Sequence, residues 1–186
     1  MSTAADWQAS AVQIAGLYKQ AKLARVEARA LARCSPETRA VFENPWSARW
    51  HSGVALSEFS AALVAELGRE GFAKLNADMA RASFGPILRP MLQVALALTG
   101  RSPATVLSRL PASLESALRN VETSWAQTGP RAGTLRFRYP NVIEADTEWA
   151  WRGVFDFISE LAGTPLRLER VQVDCAQGTL VFELAW

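Results

Sequence analysis

Apolar residues in the first 110 positions recur every three or four residues, which is the spacing of one helix face. From about Ala5 to Arg33 the pattern is continuous and rich in alanine, the best helix former, so it predicts one long helix. A serine followed by proline predicts a helix start at Ser35 and another at Ser102. Residues 46–53 break the pattern and predict a loop.

Two further helical regions are predicted between that loop and residue 102. An apolar stripe that includes Phe59 ends at Gly68 and resumes at helical spacing to about Ser83. A strongly apolar helix is then predicted over residues 86–100 and ends at Gly100. The N-terminal half is therefore predicted to be a layer of helices.

The period of the apolar positions changes to two near Asn120, which predicts β-strands. Alternation over residues 121–126 and 135–139, with glycine and proline between them, predicts an antiparallel hairpin with one buried face. A helix is predicted from about Thr147 to Ala162. The order of elements so far is helices, two strands and one helix.

A second hairpin is predicted at the C-terminus, with its turn at Gln177-Gly178. The alternation slips between Leu168 and Val171, which predicts a β-bulge. Two hairpins joined by an amphipathic helix predict a four-stranded antiparallel sheet of order β-β-α-β-β under the N-terminal helical layer. The predicted fold class is α+β.

One weak domain boundary lies between Asn44 and Gly53. It divides the chain into an N-terminal helical extension, residues 1–44, and an α/β ligand-binding-like domain, residues 45–186. We expect the two parts to pack as a single domain.

The charge balance argues against nucleic acid as a partner, because 20 Lys and Arg stand against 18 Asp and Glu. One run of basic residues recurs at helical spacing and predicts either a solvated helix face or a docking face for an acidic surface. Its members are Lys19, Lys22, Arg25, Arg29 and Arg33.

Cysteine usage and the apolar runs predict a cytoplasmic location. Cys34 and Cys175 fit neither zinc nor redox spacing, which is typical of a protein in a reducing compartment. The stretch from Met1 to Gln8 lacks the basic start and apolar run of a signal peptide. The apolar run at residues 86–100 is shorter than the roughly 20 residues that span a bilayer, so no membrane insertion is predicted.

Four short stretches carry a resemblance to a known superfamily: residues 35–39 (SPETR), 83–90 (SFGPILRP), 100–103 (GRSP) and the terminal Trp186. Over residues 35–186 the chain resembles the α/β fold shared by haem-nitric-oxide-binding domains, vinyl-reductase-type effector domains and TRAPP subunits. Within that superfamily it looks like a paralogous family of myxobacterial proteins. The resemblance implies a cavity between the helices and a curved sheet, which relatives use for haem, aromatic effectors or an acyl chain. Other relatives use their surface to assemble subunits.

The ligands that such relatives use for haem or metal are not matched in this sequence. Haem needs an axial ligand, usually histidine, and His51 is the only histidine. The Tyr-x-Ser-x-Arg pattern of haem-binding relatives is absent. Vinyl-reductase-type relatives carry paired cysteines near the last hairpin, and Cys175 resembles the first of them without a second. No cofactor and no metal are therefore predicted.

No catalytic constellation is recognisable in the sequence. Glu144, Asp146 and Glu148 cluster at the start of a predicted helix, where carboxylates complement the helix dipole. The single histidine is not accompanied by a Gly-x-Ser-x-Gly elbow. The chain is therefore predicted not to be an enzyme.

Aromatic residues supply a candidate interface. Four residues of the predicted helix at 147–162 are assigned to its sheet-facing side: Ala150, Val154, Phe157 and Ile158. Trp151 and Phe155 then form a second apolar strip. That strip is covered by the N-terminal helices, contacts a second copy or a partner, or forms a ligand wall. Trp46 and Trp50, also four apart, are candidates for the same interface.

A further apolar set belongs to the core or, where a cavity exists, lines it as the candidate pocket. Its members are Met79, Leu88, Met91, Leu92, Leu96, Phe137 and Phe182. Methionine suits an adaptable cavity wall because its side chain is flexible and polarisable.

Two functions follow as hypotheses. The first is a non-enzymatic sensory or scaffold domain that acts through protein–protein contact as a homodimer, which the seven tryptophans favour. The alternative is a small-molecule binding module that holds an apolar ligand, such as an acyl chain, between the helices and the sheet.

Overall fold

The computed structural model describes residues 6–99 and 102–186, and for residues 84–99 it describes the backbone alone. The fold class is α+β, as predicted. The helices are α1 (Ala11–Leu23), α2 (Glu27–Ala32), α3 (Pro36–Glu43), α4 (Gly53–Thr99), α5 (Pro103–Leu107), α6 (Leu110–Leu114) and α7 (Thr147–Ala162). The strands are β1 (Gln8–Ser10), β2 (Trp50–Ser52), β3 (Leu118–Arg119), β4 (Glu122–Gly129), β5 (Ala132–Arg138), β6 (Arg167–Asp174) and β7 (Thr179–Ala185).

The single helix predicted from about Ala5 to Arg33 is wrong. The segment begins with β1, which pairs antiparallel with β2 on one side and β3 on the other. The Ser10 hydroxyl then accepts a hydrogen bond from the backbone N–H of Gln13 at 3.3 Å and so begins α1. The chain turns at Arg25, whose φ is 58°, before α2. Strand partners far along the chain override the local helical pattern.

The loop predicted at residues 46–53 is wrong for residues 50–52, which form β2. A 3₁₀ turn at Pro45–Ser47 leads into it. His51 lies opposite Ala9 of β1 and is buried. Its Nε2 atom lies 2.6 Å from the carbonyl oxygen of Pro45. The histidine therefore belongs to the small sheet formed by β1, β2 and β3.

The basic run does not form one continuous helix face, because the turn at Arg25 separates α1 from α2. Two of its members, Arg29 and Arg33, bind the carboxylate of Glu66 in α4 at 2.7 and 2.8 Å. Both arginines are largely exposed, so water screens each pair and its contribution to stability is small. The pairs orient α2 on α4.

Helix α3 begins after Ser35, which is its N-cap as predicted, and is tied to α4 by Glu58. The Glu58 carboxylate accepts hydrogen bonds from the backbone N–H and hydroxyl of Ser35, at 2.6 and 2.7 Å, and from the hydroxyl of Thr38. Burial alone would raise the pKa of Glu58, but these hydrogen bonds outweigh it and hold the pKa below 4.5.

Helix α4 consists of two helical segments that meet at Gly68, where φ is 70° and ψ is 171°. The predicted helix end at Gly68 is therefore confirmed, and glycine adopts this backbone conformation without strain. The helical backbone continues through Gly85-Pro86, where the sequence predicts a new helix start.

Both predicted hairpins are confirmed. The main sheet has the strand order β4-β5-β7-β6, all antiparallel. A register shift between Leu168 and Arg170 lies at the predicted bulge. The buried side chains of the two central strands form one face of the sheet: Leu135, Phe137, Leu180, Phe182 and Leu184.

Helix α7 spans Thr147–Ala162, as predicted, and lies between the sheet and α4. The Trp151 ring stacks on Phe137 with 4.0 Å between centroids, and Phe155 meets Phe182 edge-on at 4.8 Å. The assignment of Trp151 and Phe155 to a strip away from the sheet is therefore wrong. Because α7 is buried on two sides, its apolar pattern does not reveal which side meets the sheet.

The other side of α7 approaches the backbone of α4 closely at Gly153. A Cβ atom at this position would overlap the carbonyl oxygen of Ala73 and the backbone nitrogen of Ala77. An ion pair between Arg81 of α4 and Glu160 of α7 links the same two helices. The absence of a side chain at Gly153 therefore sets the distance between α4 and α7.

The predicted division at residue 44 stays a prediction. β1 lies before it and pairs with β2 and β3, which lie after it. Within residues 6–99 and 102–186, none of the helices combines the length and apolar character that crossing a membrane requires.

We expect Gly153→Ala to lower the free energy of unfolding by about 2 kcal/mol, because the methyl group must push α7 away from α4. Glycine to alanine in a helix normally stabilises by about 0.5–1 kcal/mol, so the sign itself is diagnostic. Urea denaturation measures the change. Gly129→Ala is the control, because its Cβ would meet only Ala132, at 3.7 Å. Equal stability of Gly153→Ala and the unmodified protein would contradict the packing described.

Candidate functional site

A cavity of about 560 Å³ lies among α4, the α5–α6 segment, the loop after β5 and α7. Its buried lining is mostly apolar and includes Phe72, Met79, Ile143, Trp151, Phe157 and Ile158. The half-buried Ala150 and Val154 of α7 also face it. Ala150, Val154, Phe157 and Ile158, which the sequence pattern places against the sheet, thus form much of the cavity wall instead.

Trp7 forms another part of the wall and is held in place by Gly53. Any Cβ at Gly53 would overlap the Trp7 indole. The backbone N–H of Gly53 also donates to the carbonyl oxygen of Trp7 at 2.9 Å. The Trp7 ring meets the Tyr139 ring edge-on, with 5.4 Å between centroids.

Two buried polar side chains, Asn76 and Tyr139, line the cavity together with two indoles, those of Trp7 and Trp151. The Asn76 Nδ2 atom donates to the carbonyl oxygen of Phe72 at 2.9 Å, which leaves its amide oxygen without a donor in the described part of the chain. The Tyr139 hydroxyl accepts a long hydrogen bond from the Trp151 Nε1 at 3.4 Å. No described residue accepts the proton of the Tyr139 hydroxyl.

Burial raises the pKa of Tyr139 to about 12, and the hydrogen bond from Trp151 opposes that rise only in part. The side chain is 5% exposed. At neutral pH the group is therefore a neutral hydroxyl that can donate a hydrogen bond into the cavity.

The cavity reaches the protein surface on the side of α6. Exposed residues of its lining include Ala61, Arg109, Ala112 and Glu144. Asp146, also in the lining, binds Arg69 at 2.7 Å. Charged groups thus occupy the rim, and apolar groups occupy the interior.

The structure places the predicted pocket residues in two positions. Met79 lines the cavity. Phe137 and Phe182 lie behind it, in the layer where α7 rests on the sheet. The side chains of Leu88, Met91, Leu92 and Leu96 lie outside the part of the chain whose side chains are described, so their pocket role stays a prediction.

The candidate interface residues do not form one surface patch. Trp151 and Phe155 are 7% and 5% exposed, inside the domain. Trp50 is half-buried beneath the guanidinium of Arg119, with 4.3 Å from Cζ to the ring centroid. Trp46 is 68% exposed. Trp46 therefore remains available to a partner.

Trp7, Asn76 and Tyr139 were not recognised as site residues from the sequence. A signal for Asn76 exists, since it is an uncharged polar residue within an apolar helical stripe. Tyr139 was assigned only to the buried face of its strand. The position of Trp7, next to β1, follows from the pairing of β1 with β2 and β3, which no local pattern reveals.

Among the described residues, no group of three His, Cys, Asp or Glu side chains is arranged to hold a metal ion. Cys34 and Cys175 are both free. The Cys34 Sγ donates to the carbonyl oxygen of Ala30 at 3.3 Å. Burial, with a smaller contribution from Glu58, raises the pKa of Cys34 to about 11, so its thiol stays protonated.

No protein-family model and no curated protein sequence matches this chain. The structure is similar to solved haem-nitric-oxide-binding (H-NOX) domains. The Fe(II) unliganded H-NOX protein from K. algicida has a TM-score of 0.60 at 7% identity, with 95% of each chain covered. A point mutant of the T. tengcongensis H-NOX domain has a TM-score of 0.55 at 8% identity, covering 92% of this chain and 94% of that one.

A third similar structure is an oxygen-binding H-NOX domain related to soluble guanylate cyclases, solved as its oxygen complex. It has a TM-score of 0.53 at 8% identity and covers 91% of this chain and 89% of that one. The chain thus has the fold of H-NOX domains, which confirms that part of the sequence-based resemblance. The vinyl-reductase, TRAPP and myxobacterial parts of the resemblance stay predictions.

The residues of this chain do not fit a haem held by imidazole, thiolate or tyrosinate. His51 is the only histidine, lies in β2 outside the cavity lining described and contacts Pro45 through Nε2. Neither cysteine belongs to that lining. Tyr139 does, but its raised pKa disfavours the tyrosinate that binds iron.

We expect added haemin to form no stoichiometric complex, because the cavity offers no such axial ligand. Absorbance in the Soret region after gel filtration measures retained haem, with His51→Ala and Tyr139→Phe as comparison variants. A retained one-to-one haem whose spectrum changes in either variant would contradict this expectation.

Tyr139 is expected to make the protein less stable at alkaline pH. Its pKa is raised from 10.0 to about 12 in the folded state, so folding favours the protonated form. This preference contributes about 3 kcal/mol to the free energy of unfolding; the contribution is complete below pH 10 and is lost as the pH rises from 10 through 12. Urea denaturation at pH 8 to 12 measures how the free energy of unfolding falls as the pH rises. This fall should be smaller for Tyr139→Phe than for the unmodified protein. An equal fall in both proteins would contradict the raised pKa of Tyr139.

Proposed function

We propose that this domain is a non-enzymatic sensory module that binds an apolar small molecule in the cavity beside α7. The observation that carries the proposal is the apolar cavity of about 560 Å³. Ligand pockets in proteins typically measure about 300–1,000 Å³ and combine an apolar lining with a few polar groups. Apolar surface that leaves water on binding supplies the affinity.

The fold supports a sensory role by analogy, since one of the similar structures is an oxygen-binding H-NOX domain. Fold similarity alone does not carry over the ligand, because function depends on the residues of the site. In this chain the missing axial ligand disfavours haem, and the apolar wall favours an organic molecule. The cavity thus supports the second of the two functions predicted from sequence.

Contact with a second copy or with another protein remains a separate proposal, supported by the exposed Trp46. Such a contact would transmit to the bound partner whether a ligand occupies the cavity. A reducing, cytoplasmic setting also remains a proposal, with which the two free cysteines are compatible.

Binding can be tested with N-phenyl-1-naphthylamine, an apolar probe whose fluorescence rises when it leaves water. We expect saturable one-to-one binding to the unmodified protein. Ala150→Phe should weaken it about tenfold or more, because the ring fills the cavity and displaces contacts worth at least ~1.4 kcal/mol. Native mass spectrometry after gentle purification would show any ligand that is carried along.

The matched control is Ala65→Phe, which adds the same ring at an exposed position of α4 outside the described lining. This variant should bind the probe as the unmodified protein does. Circular dichroism and thermal unfolding would establish that both variants are folded. Equal probe affinity of the two variants, or no saturable binding at all, would refute the proposed function.

A further inference from the structure

The described side chains in the interior of the cavity are uncharged, and two of them are polar. Among the lining residues that the structure describes as buried, none is charged. Of the described charged lining residues, Arg109 and Glu144 are exposed at the rim, and the half-buried Asp146 is paired with Arg69. A ligand that carried its charge into the interior would lose hydration without gaining an opposite charge. The interior therefore selects for the uncharged part of a ligand.

The Tyr139 hydroxyl is a buried polar group of the lining with an unused donor. The Trp151 Nε1–H donates to its oxygen, which occupies one acceptor position and leaves the hydroxyl proton free to point elsewhere. No described residue accepts that proton, although the side chain is 5% exposed. A buried donor without an acceptor costs about 1–3 kcal/mol, so an acceptor supplied by a ligand would be bound favourably.

The neighbours of Tyr139 keep the hydroxyl in place. Its ring meets Trp7 edge-on at 5.4 Å, and the indole that donates to it is itself stacked on Phe137. The hydroxyl is thus fixed before a ligand binds, so little conformational entropy is lost when it donates. Its raised pKa keeps the donor protonated at neutral pH.

We infer that the ligand is an uncharged, largely apolar molecule with a carbonyl or ether oxygen, and that Tyr139 donates a hydrogen bond to this oxygen. The inference rests on the proposed function, because it names the chemical class that the same cavity would bind. A carboxylic acid whose charged group is held by Arg109 at the rim is the competing class.

Three ligands of similar shape separate these classes: naphthalene, 2-acetylnaphthalene and 2-naphthoate, each measured by displacement of N-phenyl-1-naphthylamine. We expect the ketone to bind about two- to tenfold more tightly than naphthalene, as one net hydrogen bond allows. The naphthoate should bind more weakly than the ketone. Tyr139→Phe should remove the advantage of the ketone and leave the affinity for naphthalene unchanged.

A spectroscopic measurement tests the contact itself. The carbonyl stretching band of bound 2-acetylnaphthalene should shift to lower frequency in the unmodified protein, and the shift should disappear in Tyr139→Phe. Arg136→Gln is the matched control, because it removes an exposed charge on β5 outside the described lining and should leave both the shift and the ketone's affinity unchanged.

The outcomes distinguish the two proposals. One outcome is that naphthalene binds saturably and that 2-acetylnaphthalene binds more tightly than naphthalene by the same factor in Tyr139→Phe and in the unmodified protein. This outcome would overturn the inference while the proposed function stands. So would naphthoate binding that exceeds ketone binding and falls in Arg109→Gln. Absence of saturable binding of the fluorescent probe would refute the proposed function itself.

Discussion

The close approach of α7 to α4 at Gly153 is the contact on which the rest of the structure depends. Because a hydrogen atom replaces a side chain there, the two backbones touch, and α7 can also press its aromatic rings on the sheet. The sheet, α7 and α4 therefore form three successive layers. The cavity lies beside this contact, where α7 presents the smaller side chains Ala150 and Val154. Tight packing at one point of the helix thus coexists with open volume along the same helix.

The C-terminal half of the fold could be predicted from sequence because its signals are local. The two hairpins and the limits of α7 follow from a period of two, a period of 3.6 and glycine-containing turns. The N-terminal segment could not be predicted in the same way. Gln8–Ser10 forms a strand because distant segments, β2 and β3, supply its hydrogen-bonding partners. The orientation of α7 is not predictable from its sequence because two of its sides are apolar and buried, one on the sheet and one on α4, and the pattern does not distinguish them.

The candidate site could be predicted only in part. The superfamily resemblance implied a cavity between helices and sheet, and Met79 was named among its candidate residues. The shape of a cavity depends on how side chains from several elements fail to fill space, which periodicity does not report. Trp7, Asn76 and Tyr139 meet only after folding. The absence of a suitable histidine, by contrast, is visible in the sequence, and the position of His51 in β2 agrees with it.

The pairing of Gly53 with the Trp7 indole has a consequence for how the cavity keeps its width. The indole has room only because position 53 carries a hydrogen atom, and the same residue begins α4 and fixes the Trp7 carbonyl oxygen. A methyl group at position 53 would displace the indole, which forms one wall of the cavity. A residue outside the described lining therefore determines where one wall of the cavity stands.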